Sequence, residues 1–143
     1  MQPGSSIRII NGSLLTVDRR AGSPQRPEFK PCGAMWKGII LEDGALAING
    51  AIISGAETAV TVMPDNIVSV TNSNFEDNFI GVHFADNDNS TTPNNAQVFG
   101  FFSNTFSGTG ELPPLYPGQT LPFFNANDLP YACLLYTSPS PRD

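Results

Sequence analysis

The chain has little with which to grip a phosphate or run a nucleophilic site. Its 143 residues include only 7 Lys and Arg and a single His, against 13 Asp and Glu, for a net charge of −6. The basic residues are also badly spread: Arg8, Arg19, Arg20, Arg26, Lys30 and Lys37 crowd the start, and only Arg142 lies elsewhere. Between Gly38 and Ala132 there is no cation, while Glu42, Asp43, Glu57, Asp65, Glu76, Asp77, Asp86, Asp88, Glu111 and Asp128 all fall there. An acidic chain without a basic stripe is excluded as a general nucleic-acid or basic membrane-surface binder. Long apolar runs are missing as well. None approaches the ~18 residues of a membrane-spanning helix, so no such span is expected. The opening Met1-Gln2-Pro3-Gly4-Ser5-Ser6 lacks the basic and apolar regions of a secretory signal.

Cysteine is scarce too. Cys32 and Cys133 are the only two, and Cys133 opens the string Cys133-Leu134-Leu135-Tyr136-Thr137-Ser138-Pro139-Ser140-Pro141-Arg142-Asp143. That string resembles a translated reading frame through sequencing-adapter DNA. The resemblance implies a non-native tail over 133–143 and a gene that runs out near Ala132, so the tail is set aside from the fold. Cys32 then stands alone, no disulfide is expected, and its place in a loop before Trp36 suggests a small buried side chain.

What the chain does have is a repeat. Ile48 and Val70, Ile53 and Phe75, Val60 and Val82, and Val62 and Phe84 all share an offset of 22. A third copy, Phe101 to Phe106, follows Val70 to Phe75 after a nine-residue excess held in Asp86 to Ala96. Upstream, Trp36 to Leu41 matches the segments at Thr58 and Ile80, and Leu14 to Val17 reads as an earlier strand. Within each copy apolar residues alternate, as in Leu46/Ile48, Val60/Val62, Val68/Val70 and Ile80/Val82/Phe84. That is the period of a strand and not of a helix. Gly, Asn, Asp and Ser separate these short strands, as tight corners require.

A repeat of about 22 residues holding several short strands suits a coil of a parallel β-helix, an all-β solenoid in which each strand lies on its equivalent one turn later. Ile53 should then lie over Phe75 and Phe106, and Val60 over Val82. Gly50, Asn72 and Ser103 should superpose at a corner of positive φ. Leucine-rich repeats share the period but not the spacing of leucines. An antiparallel sandwich shares the alternation and leaves the constant offset unexplained. The third copy has two rival inward sets, Val98/Gly100/Phe102 and Phe99/Phe101, and a slip of one residue exchanges them.

The strings Cys32-Gly33-Ala34-Met35-Trp36-Lys37-Gly38-Ile39, Asp43-Gly44-Ala45-Leu46 and Asn74-Phe75-Glu76-Asp77-Asn78 resemble the right-handed parallel β-helix segments of large secreted bacterial surface proteins, many exported by the type IX route. The resemblance covers roughly Ile7 to Phe106. It implies a truncated right-handed β-helix domain over 1–132, with loops at 18–35, 85–96 and 107–130, and an extracellular or cell-surface location.

Many β-helices act on acidic polysaccharides, so each candidate residue has to be weighed. A lyase usually needs a cation beside the uronate, and the coils have none. Glycoside hydrolysis needs two carboxylates at a set separation on one face; Glu76 and Asp77 are adjacent, and adjacent residues of an extended chain point to opposite faces. No catalytic residue and no organic cofactor is therefore expected. Asp86 and Asp88, in Asp86-Asn87-Asp88-Asn89, form a weak candidate for Ca²⁺, with carboxylates at alternate positions but without the turn Gly and downstream Glu of an EF-hand. Trp36 would be a ligand contact, stacking on a sugar ring, if exposed; the competing reading has it sealing a loop. His83, flanked by Val82 and Phe84, should face outward. Two Asn-x-Ser/Thr strings, at Asn11 and Asn89, carry no implication of glycosylation in a bacterial protein.

The expected role is a non-catalytic structural or display segment of an adhesin-like surface protein. Its expected partners are further coils of the same chain and a polysaccharide or a host or neighbouring cell surface. The alternative is a carbohydrate-active or carbohydrate-binding β-helix whose catalytic coils lie outside this stretch.

Overall fold

Twelve short strands build the structure, a computed structural model that describes residues 1–85, 95–109 and 112–120. No helix occurs among the described residues. Four successive turns each contribute three strands: β1 (Ser6–Ile9), β2 (Ser13–Asp18) and β3 (Glu28–Phe29); β4 (Gly38–Leu41), β5 (Gly44–Asn49) and β6 (Ile52–Ser54); β7 (Thr58–Val62), β8 (Ile67–Thr71) and β9 (Asn74–Glu76); β10 (Ile80–Phe84), β11 (Gln97–Phe102) and β12 (Thr105–Ser107). Equivalent strands pair side by side into three four-stranded sheets, β1-β4-β7-β10, β2-β5-β8-β11 and β3-β6-β9-β12. Every pairing is parallel. The chain therefore visits the three sheets in rotation and returns one strand further along each time, a solenoid-like stack with neighbouring turns about 4.8 Å apart.

The register follows the repeat. Phe75 lies over Ile53 and Phe106 over Phe75, Val60 pairs with Val82, and Ile48 with Val70. The Phe75 and Phe106 rings stack 4.6 Å apart and 9° from parallel. Inward side chains merge into one column: Ile9, Trp36, Ile39, Leu41, Leu46, Ile48, Ile53, Val60, Val62, Val68, Val70, Phe75 and Val82 are buried together. Each of these aliphatic side chains contributes about 1.5–3 kcal/mol of transfer free energy when fully buried. The core is thus a rod along the stack axis, not a layer between two sheets.

Corners are where the backbone is unusual. Gly50, Asn72 and Ser103 occupy one corner at φ of 75°, 51° and 56°. The N–H of Gly50 donates to the Thr71 carbonyl and that of Asn72 to the Phe102 carbonyl, each one turn up. Gly55 and Asp77 repeat the device at the next corner, at φ of 61° and 50°. One glycine is required for another reason. A Cβ on Gly38 would stand 1.6 Å from the Thr58 carbonyl oxygen, so only a bare Cα lets β4 lie against β7 there.

Three expectations need correction. The span 18–35 is not simply a loop, because Glu28–Phe29 forms β3 and completes the third sheet of the first turn. Neither rival register of the third copy holds. β11 carries an irregularity between Val98 and Gly100, so that Val98 lies over Val68 and Phe101 over Val70, both inward, while Gly100 faces Ser69 on the outside. The extra residue, Phe99, is 73% exposed. A bulge absorbs one residue without flipping the rest of the strand, which a choice between two uniform alternations leaves out. Cys32, finally, is exposed and unpaired with sulfur, not a buried filler.

Candidate functional site

Among the described residues the most organised polar chemistry is a set of asparagines at the corners. Asn78 is 4% exposed. Its Oδ1 accepts from the buried Ala56 N–H at 2.9 Å and its Nδ2 donates to the Ile53 carbonyl at 2.8 Å, so one side chain ties the third turn to the second. Asn104 does the same at another corner, accepting from Ser73 N–H at 3.0 Å and donating to the Val70 carbonyl at 2.8 Å. Asn66 serves the third corner: it accepts from Gly44 N–H at 2.7 Å and donates to the carbonyls of Glu42, Met63 and Pro64. Ser73 is a shorter version, its hydroxyl accepting from Ala51 N–H and donating to the Thr71 carbonyl. A turn leaves backbone groups that no strand can pair, and buried ones must be satisfied. An amide, with a donor and an acceptor on one planar end, satisfies both kinds at once.

A polar ladder runs down one edge of the middle sheet. Asn49 Nδ2 donates to Asp18 at 2.8 Å, and Asn49 Oδ1 accepts from Thr71 Oγ1 at 3.2 Å and Asn72 Nδ2 at 2.9 Å. Beside it the outer face is lined by small residues, with Thr16, Ala47, Ser69 and Gly100 in one row across the four strands. The exposed ring of Phe102 flanks that row.

The carboxylates do not cooperate. Asp77 sits on a corner, and its Oδ1 accepts from both the N–H and the hydroxyl of Thr109. Glu76 ends β9, and its Oε1 accepts from Asn74 Nδ2 at 3.3 Å. The two have separate partners, which suits a corner clasp and a strand-end contact. Trp36 is fully buried, and its Nε1 donates to the Ser54 carbonyl at 2.8 Å. Its ring therefore has no face to offer a sugar, and the proposed ligand contact is replaced by a seal between the β3–β4 connection and the core. His83 is partly buried on β10. Asp86 and Asp88 lie outside the described residues. Among the described residues no group of three His, Cys, Asp or Glu side chains is placed to hold a metal ion.

A second polar cluster binds 112–120 to the side of the stack. The Pro114 carbonyl accepts from Met35 N–H, and the Tyr116 ring lies over Gly4, where a Cβ would meet it at 3.2 Å. Tyr116 Oη donates to Glu57 Oε2 at 3.4 Å, and Gln119 Nε2 reaches both Glu57 at 3.1 Å and the Met35 sulfur at 3.2 Å. Burial, together with the negative charge and hydrogen bond of Glu57, holds the Tyr116 phenol above its ordinary pKa. This cluster fastens residues 112–120 to the stack as a strap.

The sequence marks the Asn74-Phe75-x-x-Asn78 string as a corner form, whereas no comparable string marks Asn66 or Asn104. Asn66 precedes a strand 22 residues after Gly44, so the signal was an Asn just before an apolar alternation at the repeat offset.

Compared with family models, with curated proteins and with solved structures, the chain matches none.

Proposed function

We propose that the chain is a segment of a right-handed parallel β-helix that serves as a rigid, non-catalytic spacer or display element of an extracellular surface or adhesive protein. The observation that carries this reading is the unbroken stacking of four turns on one buried column, sewn at three corners by Asn66, Asn78 and Asn104. Such a stack transmits load along its axis through parallel strand ladders and presents its corner loops outward. Right-handedness rests on the strong preference of parallel strand connections for that hand. The surface role, export by the type IX route, and contact with a polysaccharide or a neighbouring cell rest on the resemblance of the Cys32–Ile39 and Asp43–Leu46 strings. The exposed rings of Phe99 and Phe102 favour the second reading, carbohydrate binding within a longer β-helix, because aromatic faces stack on sugars.

The test is turnover. Purified protein incubated with uronate polymers and neutral polysaccharides, with and without Ca²⁺, should release no product. Sustained product formation that Glu76→Gln or Asp77→Asn abolishes would overturn the non-catalytic reading.

A further inference from the structure

The strap over 112–120 stands outside the repeat. It enters none of the three sheets, and it runs down the side of the stack, against the direction in which the turns climb. Leu112 packs on Met35, Phe79 and Ile80, Pro113 reaches Gly55, and Tyr116 arrives at Gly4. The surface beneath it is a groove with slots. A Cβ on Gly55 would stand 2.5 Å from the Pro31 Cγ and 2.8 Å from the Pro113 Cγ, and one on Gly4 would stand 3.2 Å from the Tyr116 ring. Between the slots lie polar groups that the turns leave unused. Met35 N–H donates out of the stack to the Pro114 carbonyl at 2.8 Å, whereas the next two N–H groups, of Trp36 and Lys37, go to the carbonyls of Gly55 and Ser5. Among the described residues the Glu57 carboxylate accepts only from Tyr116 Oη and Gln119 Nε2.

The strap has the build of a peptide ligand. Pro113, Pro114 and Pro117 each fix a backbone dihedral. Tyr116-Pro117-Gly118-Gln119 closes a type II turn, with Gly118 at φ 82° and the Gln119 N–H donating to the Tyr116 carbonyl at 3.0 Å. Such a segment loses little conformational freedom when it docks. Its hold on the stack is shallow: the contact between Met35 and Pro114 is the one backbone hydrogen bond that joins them among the described residues, and Leu115 remains 38% exposed. Ring-sized slots, a backbone carbonyl and a tyrosine hydroxyl are the means by which extended proline-rich segments are recognised, since their backbone has few N–H groups to offer.

We propose that this side groove is a recognition site for a proline-rich polypeptide segment of the form Leu-Pro-Pro-x-Tyr-Pro-Gly, with residues 112–119 as its resident occupant and the same kind of segment on another polypeptide as its competitor. The groove is set by the stack, because Gly4, Met35, Gly55 and Glu57 are held by strands and bridges that do not involve the strap. Removing the occupant uncovers the Met35 side chain and leaves its N–H without a protein acceptor, so the empty groove favours a replacement of the same chemistry. Tethering places the resident at an effective concentration on the order of mM, which sets the threshold an outside segment must overcome.

The experiment uses the full chain, the full chain with the strap loosened by Tyr116→Ala/Gln119→Ala, and a fluorescent synthetic peptide of the sequence of residues 112–119. Fluorescence anisotropy should show saturable binding to the loosened chain, on the order of ten- to a hundredfold tighter than to the parent, whose own strap competes. Adding Glu57→Ala to the loosened chain should weaken binding about tenfold, by loss of the charged acceptor. Oxidation by hydrogen peroxide, followed by mass spectrometry, locates the contact: Met35, wholly buried in the parent, should oxidise faster in the loosened chain and slow again with peptide, while Met63 is unaffected. No saturable binding, equal affinity for parent and loosened chain, equal affinity for a scrambled peptide, indifference to Glu57→Ala, or a Met35 that the peptide does not protect overturns the proposal. Far-UV circular dichroism checks that the loosened chain keeps the strand signal; if it does not, Tyr116→Phe/Gln119→Ala takes its place and is judged by the same criteria.

Discussion

Replacing Asn78 with Ala isolates what the corner amides contribute. The side chain is almost fully buried and serves two backbone groups one turn below, the Ala56 N–H and the Ile53 carbonyl. Ala56 itself is wholly inaccessible, so water cannot take over its N–H. A hydrogen bond contributes about 0.5–1.5 kcal/mol net, whereas a buried group left without a partner costs about 1–3 kcal/mol. With one donor and one acceptor affected, and some relaxation of the corner, the expected loss is about 2–4 kcal/mol. That is a large share of the ~5–15 kcal/mol that holds a typical domain together. Urea unfolding at 25 °C, followed by far-UV circular dichroism at one fixed protein concentration, should show a lower midpoint at an unchanged slope. Asn49→Ala is the control, because it removes three hydrogen bonds, one more than Asn78→Ala, but from the exposed ladder; its cost should stay below about 1 kcal/mol, as solvent replaces them. Asn78→Asp adds a sign test. Burial raises the folded pKa of the new carboxyl above the ordinary ~3.9. Its neutral form is compatible with the site, so stability relative to the parent is retained below that value and lost as pH rises through the raised one. An Asn78→Ala protein within about 0.5 kcal/mol of the parent, or no more damaged than Asn49→Ala, would refute the reasoning.

Two glycines should separate strain from collision: Gly38→Ala, whose Cβ meets the Thr58 carbonyl, is expected to cost about 3–5 kcal/mol, and Gly12→Ala, at φ 68° with open space around it, about 1 kcal/mol, both by urea midpoint. Equal costs would mean that β4 and β7 can part locally. The phenol of Tyr116 should titrate above the ordinary tyrosine range, seen as the difference in ultraviolet absorbance between the parent and Tyr116→Phe during an alkaline titration. Since its folded pKa is raised, the stability tied to its neutral form is intact below about pH 10 and declines as pH climbs through the raised value; Tyr116→Phe should flatten that part of the stability profile. A difference curve centred at or below the ordinary value would contradict the contact with Glu57.

Part of this molecule could be read straight from its residues, because some properties of a strand stack are local. Side chains of an extended chain alternate, so Leu46/Ile48 and Val68/Val70 declare their inward faces without any neighbour, and a fixed offset of 22 between Ile53 and Phe75 already states which side chains will superpose. The positive-φ corner at Gly50, Asn72 and Ser103 was legible for the same reason, since backbone freedom belongs to the residue itself. Contacts that exist only after turns are stacked were not legible. Trp36 was open to two readings until the carbonyl of Ser54, the last residue of β6 in the next turn, received its N–H. β3 has two residues, too few for any periodicity, and becomes a strand only because β6 lies above it. The irregularity in β11 depends on Val68 and Val70 beneath, which select Val98 and Phe101 as the inward pair and expel Phe99. The amide of Asn104 reaches a carbonyl 34 residues earlier in the chain. Alternation and period thus come from the covalent chain, whereas burial, bracing and the exposed ends come from which turn lies on which, and that is set by stacking across loops of unequal length.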